Sequence, residues 1–145
     1  MRLSLAFLAV AFVLLFAGCG SSGLPHSNQV TVSVTPAQTT LSPGGSVTLT
    51  GQGTGFTSDP VIRWWIKESH DLDRTNDCGF LSSQAPPQTG CPFGYVMYSP
   101  VEKVPSSATY YAPPTPGTYH VTFEASEVAT FDSLSKTAQA TITVQ

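Results

Sequence analysis

Two cysteines in the middle of the chain, Cys78 and Cys91, are the residues most able to do covalent chemistry. They form no CxxC motif and no histidine lies between them, so a zinc site here would lack ligands. They are either joined in a disulfide or are two free thiols. The choice depends on the compartment and on whether the third cysteine, Cys19, is used elsewhere.

An acidic stretch precedes Cys78 and resembles a cation-binding loop in spacing. Asp71, Asp73 and Asp77, with Asn76, place oxygen ligands as a calcium loop does. The glycine and the distal glutamate of an EF-hand loop are absent. The pattern favours a solvated, turn-forming loop, and a metal site is the alternative.

Aromatic side chains offer a second kind of binding chemistry. Trp65 stands between two cations, Arg63 and Lys67, where it either packs beneath them or serves as a binding platform. Further aromatic residues flank the two cysteines and form either a ligand-contact surface or a small satellite core. The candidate ligand contacts are Trp65, Phe93, Tyr95 and Tyr98.

The residues that would support catalysis are scattered. His26, His70 and His120 are far apart in sequence, and neither a Gly-x-Ser-x-Gly nor a His-Glu-x-x-His motif occurs. Glu124 and Glu127 have no visible apolar pocket that would shift their pKa values. We therefore expect no enzymatic activity and no cofactor.

The elements that would position these residues are strands. Apolar and polar residues alternate with a period of two over residues 30–34, 46–50, 61–67, 118–125 and 137–144. A further short strand is expected over residues 108–113, and no stretch after the N-terminal segment has helical periodicity. The sequence predicts an all-β fold of about seven strands, with Trp64 in its core.

A long connection follows the third strand. Residues 68–107 far exceed the usual length of a loop in a compact domain, and Cys78 and Cys91 both lie within them. Residues 78–82 are expected to form a strand of the sandwich, and residues 94–98 an added edge strand.

The N-terminal segment indicates export. Met1-Arg2 is followed by residues 3–17, which are apolar except for Ser4 and too short to span a bilayer. Ala17-Gly18 before Cys19 resembles the lipobox of bacterial lipoproteins, although Phe16 stands where that motif usually has leucine.

The resemblance to a lipobox implies that residues 1–18 are a cleaved signal peptide and that Cys19 is lipidated. Residues 19–28 would then form a flexible tether. The alternative is an ordinary signal peptide with a spare thiol. If Cys19 carries lipid, Cys78 and Cys91 are an even pair in an oxidising compartment. The disulfide is then favoured, and in the chain-entropy model it would stabilise the fold by about 3 kcal/mol.

Residues 29–145 resemble a bacterial immunoglobulin-like module. The resemblance is carried by VTVSVTPAQTTLSPGGSVTLT, by the tryptophan of VIRWWI, by Tyr-x-Ala-Pro at residues 110–113 and by an Ala-x-Ile-x-Val ending. It implies a β-sandwich with Leu49 and Val121 at the positions of the inter-sheet cysteines of antibody domains. It also implies that Tyr119 is a tyrosine corner, bonded to backbone in the preceding proline-rich turn.

These features predict a location and a class of function. A formal net charge of −3 without a basic cluster argues against nucleic-acid partners. We expect an envelope-anchored lipoprotein that displays one immunoglobulin-like interaction module and contacts the membrane through its lipid. Gly20 favours the outer membrane by analogy with lipoprotein sorting. Its partners would be envelope proteins or surface glycans. The alternative is a protein that binds glycan or another ligand through the disulfide loop and exposed aromatics.

Overall fold

A computed structural model describes residues 30–86, 90–99, 103–127 and 134–145. The predictions about the signal peptide, Cys19 and the tether lie outside the described residues. The elements in chain order are β1 Thr31–Thr35, β2 Gln38–Leu41, β3 Ser46–Thr54, β4 Val61–Ile66, α1 Lys67–Leu72, β5 Gly79–Leu81, β6 Tyr95–Tyr98, β7 Ser106–Tyr111, β8 Gly117–Glu127 and β9 Leu134–Val144.

The strands form two sheets. One has five strands in the order β1-β3-β7-β6-β5, and the other has four in the order β2-β9-β8-β4. Neighbours are antiparallel except for the β2–β9 and β5–β6 pairs, which are parallel. The predicted all-β, sandwich-like architecture is confirmed.

Alternation along the strands produces the core between the sheets. The predicted inward residues of β4 and β8 are buried, because every second side chain of a strand points to the same face. Those of β3 and β9 are buried except for Val47 and Ala138, which are partly buried against the core. Trp64 packs on Phe123 with ring centroids 4.7 Å apart. Its indole Nε1 donates a hydrogen bond of 3.0 Å to Ser106 Oγ on β7, in the opposite sheet. This bond satisfies the only polar atom of the Trp64 side chain.

Two features of the strand pattern differ from the sequence predictions. The described residues form nine strands, and the sequence does not predict β2 because three of its four residues are polar and give no apolar alternation. Residues 95–98 were expected at a sheet edge, but β6 lies between β7 and β5, and β5 is the edge strand. The order of these two strands is set by pairing with β7, which local sequence does not encode.

One short helix, α1, interrupts the all-β pattern, and the sequence, which has no helical periodicity here, does not predict it. α1 follows β4 directly and spans six residues, too few for a periodic apolar pattern to be recognised. Contacts to the sheet hold it: Glu68 accepts from the backbone N–H of His120 at 3.1 Å, and its other oxygen lies 2.6 Å from His120 Nδ1. The helix ends where the N–H of Asp73 bonds to the carbonyl of Ser69. No helix in the described part of the chain is long and apolar enough to cross a membrane.

The disulfide between Cys78 and Cys91 is present, with the two Cα atoms 5.8 Å apart. It ties residues 90–93 to the segment between α1 and β5. Cys78 is buried, and its carbonyl accepts from the N–H of Val96 at 2.9 Å, so the bridge is anchored in the five-stranded sheet. The predicted pairing is confirmed.

The two ends of the sandwich differ in what they carry. At the first, called the entry end, Thr31 pairs with Thr54, and the N–H of Thr57 bonds to the Glu127 carboxylate at 3.1 Å. At the other, called the loop end, α1 contacts His120. His120 and Glu127 are both on β8, so a rise of about 3.4 Å per residue separates the two ends by about 24 Å. The described chain therefore begins far from α1 and the disulfide.

Candidate functional site

The loop end combines a short helix, a disulfide and a cavity. We call residues 67–78 and 90–93 the α1–disulfide region. Between its two segments lies a cavity of about 160 Å³. It is lined by Ser69, Leu72, Asp73, Asn76, Gly90, Pro92 and Phe93.

Ser69 is the unusual member of this lining. Its side chain is buried, with only 5% exposure, and its hydroxyl has no hydrogen-bond partner among the described residues. A buried hydroxyl without a partner costs about 1–3 kcal/mol. The neighbouring Leu72 is 75% exposed, so an apolar side chain stands open to solvent beside a polar atom that lacks a partner.

Asp73 and Asn76 supply the other polar groups. The Asp73 carboxylate accepts from the hydroxyl of Thr75 at 2.7 Å and from its backbone N–H at 2.9 Å, and these two bonds lower the pKa of Asp73. Asn76 donates from Nδ2 to the carbonyl of Gly90 at 2.9 Å. Asn76 thus joins the two segments that enclose the cavity. Its Oδ1 lies 3.4 Å from the Cys78 sulfur, which carries no proton in a disulfide.

The three aspartates of the predicted cation loop point to different partners. Asp71 pairs with Lys67 on the exposed side of α1, and Asp73 is bonded to Thr75. Asp77 lies 2.5 Å from both Arg63 Nη2 and His70 Nδ1. Within the described ranges, no group of three or more His, Cys, Asp or Glu side chains is arranged to hold a metal ion.

Trp65 lies on the face of β4 opposite Trp64 and is partly buried. The Arg63 guanidinium carbon is 5.5 Å from the centre of its ring, and the His70 ring centroid is 5.7 Å away. Both neighbours cover the indole, which is the packing arrangement that the sequence allowed. A ligand contact at Trp65 stays a prediction.

The other three candidate aromatics do not join Trp65 in one surface. Phe93 lines the cavity, and its ring centroid is 6.2 Å from that of Tyr119. Tyr95 stacks on Tyr111 at 4.8 Å, on the side of the sheet away from the buried Tyr110. Tyr98 is partly buried, and burial raises the pKa of its hydroxyl. All three pack against the edge of the core, and of these candidates only Phe93 lines the cavity.

Two histidine–carboxylate pairs flank α1 and were not anticipated. His70 pairs with Asp77, and Glu68 pairs with His120 on β8. Glu68 and His120 are distant in sequence, so no local sequence motif predicts this pair. Among the described residues no hydroxyl or thiol is hydrogen-bonded to either imidazole, and the pairs act here as links that fix α1 to its surroundings.

A second cavity, of about 290 Å³, lies at the entry end and is lined by residues 53–60 and Val104. Beside it the buried Glu127 carboxylate accepts from the Thr57 N–H and hydroxyl and from the Ser58 hydroxyl. These bonds satisfy a buried acid and hold the connection between β3 and β4 in place.

Comparison with known proteins gives little help with function. No family model matches the sequence. No curated protein is similar enough in sequence to count as a relative. A solved structure from work described as "Structural basis of T cell specificity and activation by the bacterial superantigen toxic shock syndrome toxin-1" overlays with a TM-score of 0.41 and 12% sequence identity. The overlay covers 80% of this chain and 99% of the other, and at these values it carries no argument about function.

Proposed function

We propose that this protein is a lipoprotein of the bacterial cell envelope that displays a single immunoglobulin-like interaction module. The lipobox-like residues before Cys19 motivate the anchor. The arrangement of the strands supports the module, and the position of the first strand suggests which end is presented.

The order of the strands supports the immunoglobulin-like assignment. In that fold strands A, B, E and D form one sheet and C, F and G the other. Here β1, β3, β7 and β6 take the places of A, B, E and D, and β4, β8 and β9 take those of C, F and G. β5 and β2 are additional edge strands of the two sheets.

Individual residues agree with this assignment. Trp64 is the core tryptophan on the strand in the C position. The hydroxyl of Tyr119 donates to the carbonyl of Thr115 at 2.8 Å, which is the bond expected of a tyrosine corner. Leu49 and Val121, at the positions of the antibody cysteines, are fully buried, so apolar packing replaces an inter-sheet disulfide.

The observation that carries the functional proposal is the separation of the two ends. Strand β1 begins at Thr31, beside the entry end, whereas α1 and the disulfide lie at the loop end. An anchor N-terminal to Val30 would hold the entry end nearer the membrane. The loop end would then face away from the bilayer and be accessible to a partner.

Lipidation is tested in a bacterial host by supplying a labelled fatty acid. The wild-type chain is expected to incorporate label and to partition into detergent, and Cys19→Ala is expected to lose both properties. The double variant Cys78→Ala/Cys91→Ala is the matched control, because it removes the other two cysteines without touching Cys19. Label retained in Cys19→Ala would contradict the anchor.

The orientation is tested with a photo-crosslinking amino acid at two exposed apolar positions. Leu72 is at the loop end, and Val61, 38% exposed, begins β4 at the entry end. We expect crosslinks to envelope proteins from position 72 and not from position 61. The reverse pattern would show that the loop end is not the presented surface.

A further inference from the structure

We propose that the cavity between α1 and the disulfide loop binds an alkylammonium group, carried by a small amine or by a lysine side chain. This inference goes beyond the anchor and the interaction module and does not depend on lipidation. It is drawn from the polarity, charge and size of the cavity.

The first observation is the unused hydrogen-bonding capacity of Ser69. Its hydroxyl is buried on the wall of the cavity and has no partner among the described residues. Buried polar groups are nearly always paired in folded proteins, and exceptions call for an explanation such as a bound molecule. A ligand that donates a hydrogen bond to Ser69 Oγ would remove the penalty.

The second observation is the charge of the lining. Among the described residues that line the cavity, Asp73 is the only ionisable one and none is basic. Its carboxylate is exposed to solvent and forms no salt bridge with a described cation. The bonds from Thr75 favour the ionised carboxylate. Asn76 Oδ1 receives no proton from the disulfide sulfur, so Ser69, Asp73 and Asn76 each bring an oxygen acceptor to the set of residues that line the cavity. An ammonium group supplies three donors and one positive charge.

The third observation concerns the apolar residues of the cavity lining. Leu72, Pro92 and Phe93 form walls suited to a hydrocarbon stem, and the Phe93 ring can also attract a cation. The cavity is smaller than the ~300 Å³ at which ligand sites for drug-sized molecules begin. It therefore suits a group the size of one side chain rather than a sugar or a nucleotide.

An ordered water is the simplest competing occupant, because a polar cavity of this size has room for one. A water would satisfy Ser69 without using the carboxylate of Asp73 or the exposed apolar side chain of Leu72. The test must therefore separate amine binding from hydration alone.

The full chain, purified in an uncharged detergent, is titrated with Nα-acetyl-lysine methylamide while backbone amide shifts are followed by NMR. The neutral match is Nα-acetyl-norleucine methylamide, which has the same stem without the charge. We expect the lysine derivative to shift the amides of residues 69–76, 90, 91 and 93 in a saturable manner, and the norleucine derivative to leave them unchanged. A second titration uses n-butylammonium. If both amines bind, a small free amine is enough to fill the cavity. If only the lysine derivative binds, the ligand is a lysine side chain within a peptide.

Two variants and a control complete the test. Asp73→Asn removes the charge with little change of shape and is expected to weaken binding about ten-fold, as is Ser69→Ala. Asp71→Asn, on the exposed side of the same helix, should bind as the wild type does. Three results would each overturn the proposal: no saturable shift with either amine, equal shifts with norleucine, or unchanged affinity in Asp73→Asn. None of them depends on the fate of Cys19, so they are distinguishable from failure of the anchor.

Discussion

The hydroxyl of Tyr110, on the central strand β7, donates a hydrogen bond of 2.9 Å to the backbone carbonyl of Phe93. Tyr110 is fully buried, and Phe93 lies two residues after Cys91, on the wall of the cavity. This hydrogen bond and the disulfide therefore both attach the disulfide loop to the core. Stability and the shape of the loop end are coupled at Tyr110.

Replacing Tyr110 with phenylalanine should destabilise the fold. The substitution removes the donor and leaves the Phe93 carbonyl without it, and we expect a loss of about 1–2 kcal/mol in the free energy of unfolding. Urea denaturation followed by tryptophan fluorescence measures the change. Tyr111→Phe is the control, since the Tyr111 hydroxyl makes no hydrogen bond to a described residue, and it should leave stability nearly unchanged. Equal losses in both variants would count against the Tyr110–Phe93 link.

Alkaline pH should destabilise the protein through the same residue. Burial raises the pKa of Tyr110 above its ordinary value, because the folded state favours the neutral phenol. The stabilisation is complete below the unfolded pKa of about 10 and is lost as the pH rises from there toward the folded value. Unfolding free energies measured across this range should fall more steeply for the wild type than for Tyr110→Phe. Burial also raises the pKa of Tyr98, so the variant should keep a smaller dependence. Identical slopes would show that Tyr110 does not carry the effect.

The hydrogen bond between the two sheets at Trp64 gives a further prediction. Ser106→Ala leaves the buried indole N–H without its acceptor and should cost about 1–3 kcal/mol. Ser107→Ala is the matched control, because Ser107 follows on the same strand and is exposed. Thermal unfolding of the two variants and the wild type makes the comparison. A loss of stability in Ser107→Ala but not in Ser106→Ala would contradict the hydrogen bond between Trp64 and Ser106.

Close packing of β5 against β4 makes Gly79 difficult to replace. A Cβ atom at Gly79 would lie 1.9 Å from the backbone oxygen of Trp64, and backbone cannot move aside as a flexible side chain can. We expect Gly79→Ala to destabilise by about 3 kcal/mol or more. Gly44→Ala provides the comparison, since a Cβ there meets nothing within 4 Å and only the positive φ of 72° opposes it. That change should cost about 1–2 kcal/mol. Chemical denaturation ranks the two, and the opposite ranking would contradict the packing.

The class of fold and the inward face of the main strands could be predicted from the amino-acid sequence. In strands such as β8, side chains alternate between core and solvent, so the apolar period of two indicates directly which residues are buried. Tyr119, Val121 and Phe123 could be assigned to the core for this reason. The pairing of Cys78 with Cys91 follows from the sequence only if Cys19 is assigned to lipid, which stays a prediction, whereas the structure shows the pairing directly.

The order of β5 and β6, the existence of β2 and α1, and the cavity at the loop end could not be predicted from the sequence. These features depend on contacts between residues far apart in the chain, such as Glu68 with His120 and Tyr110 with Phe93. A short helix and a polar edge strand bury too little apolar surface to leave a periodic signal in the sequence. The cavity arises where α1 meets the disulfide loop, so its unpartnered serine became recognisable only when both segments were in place.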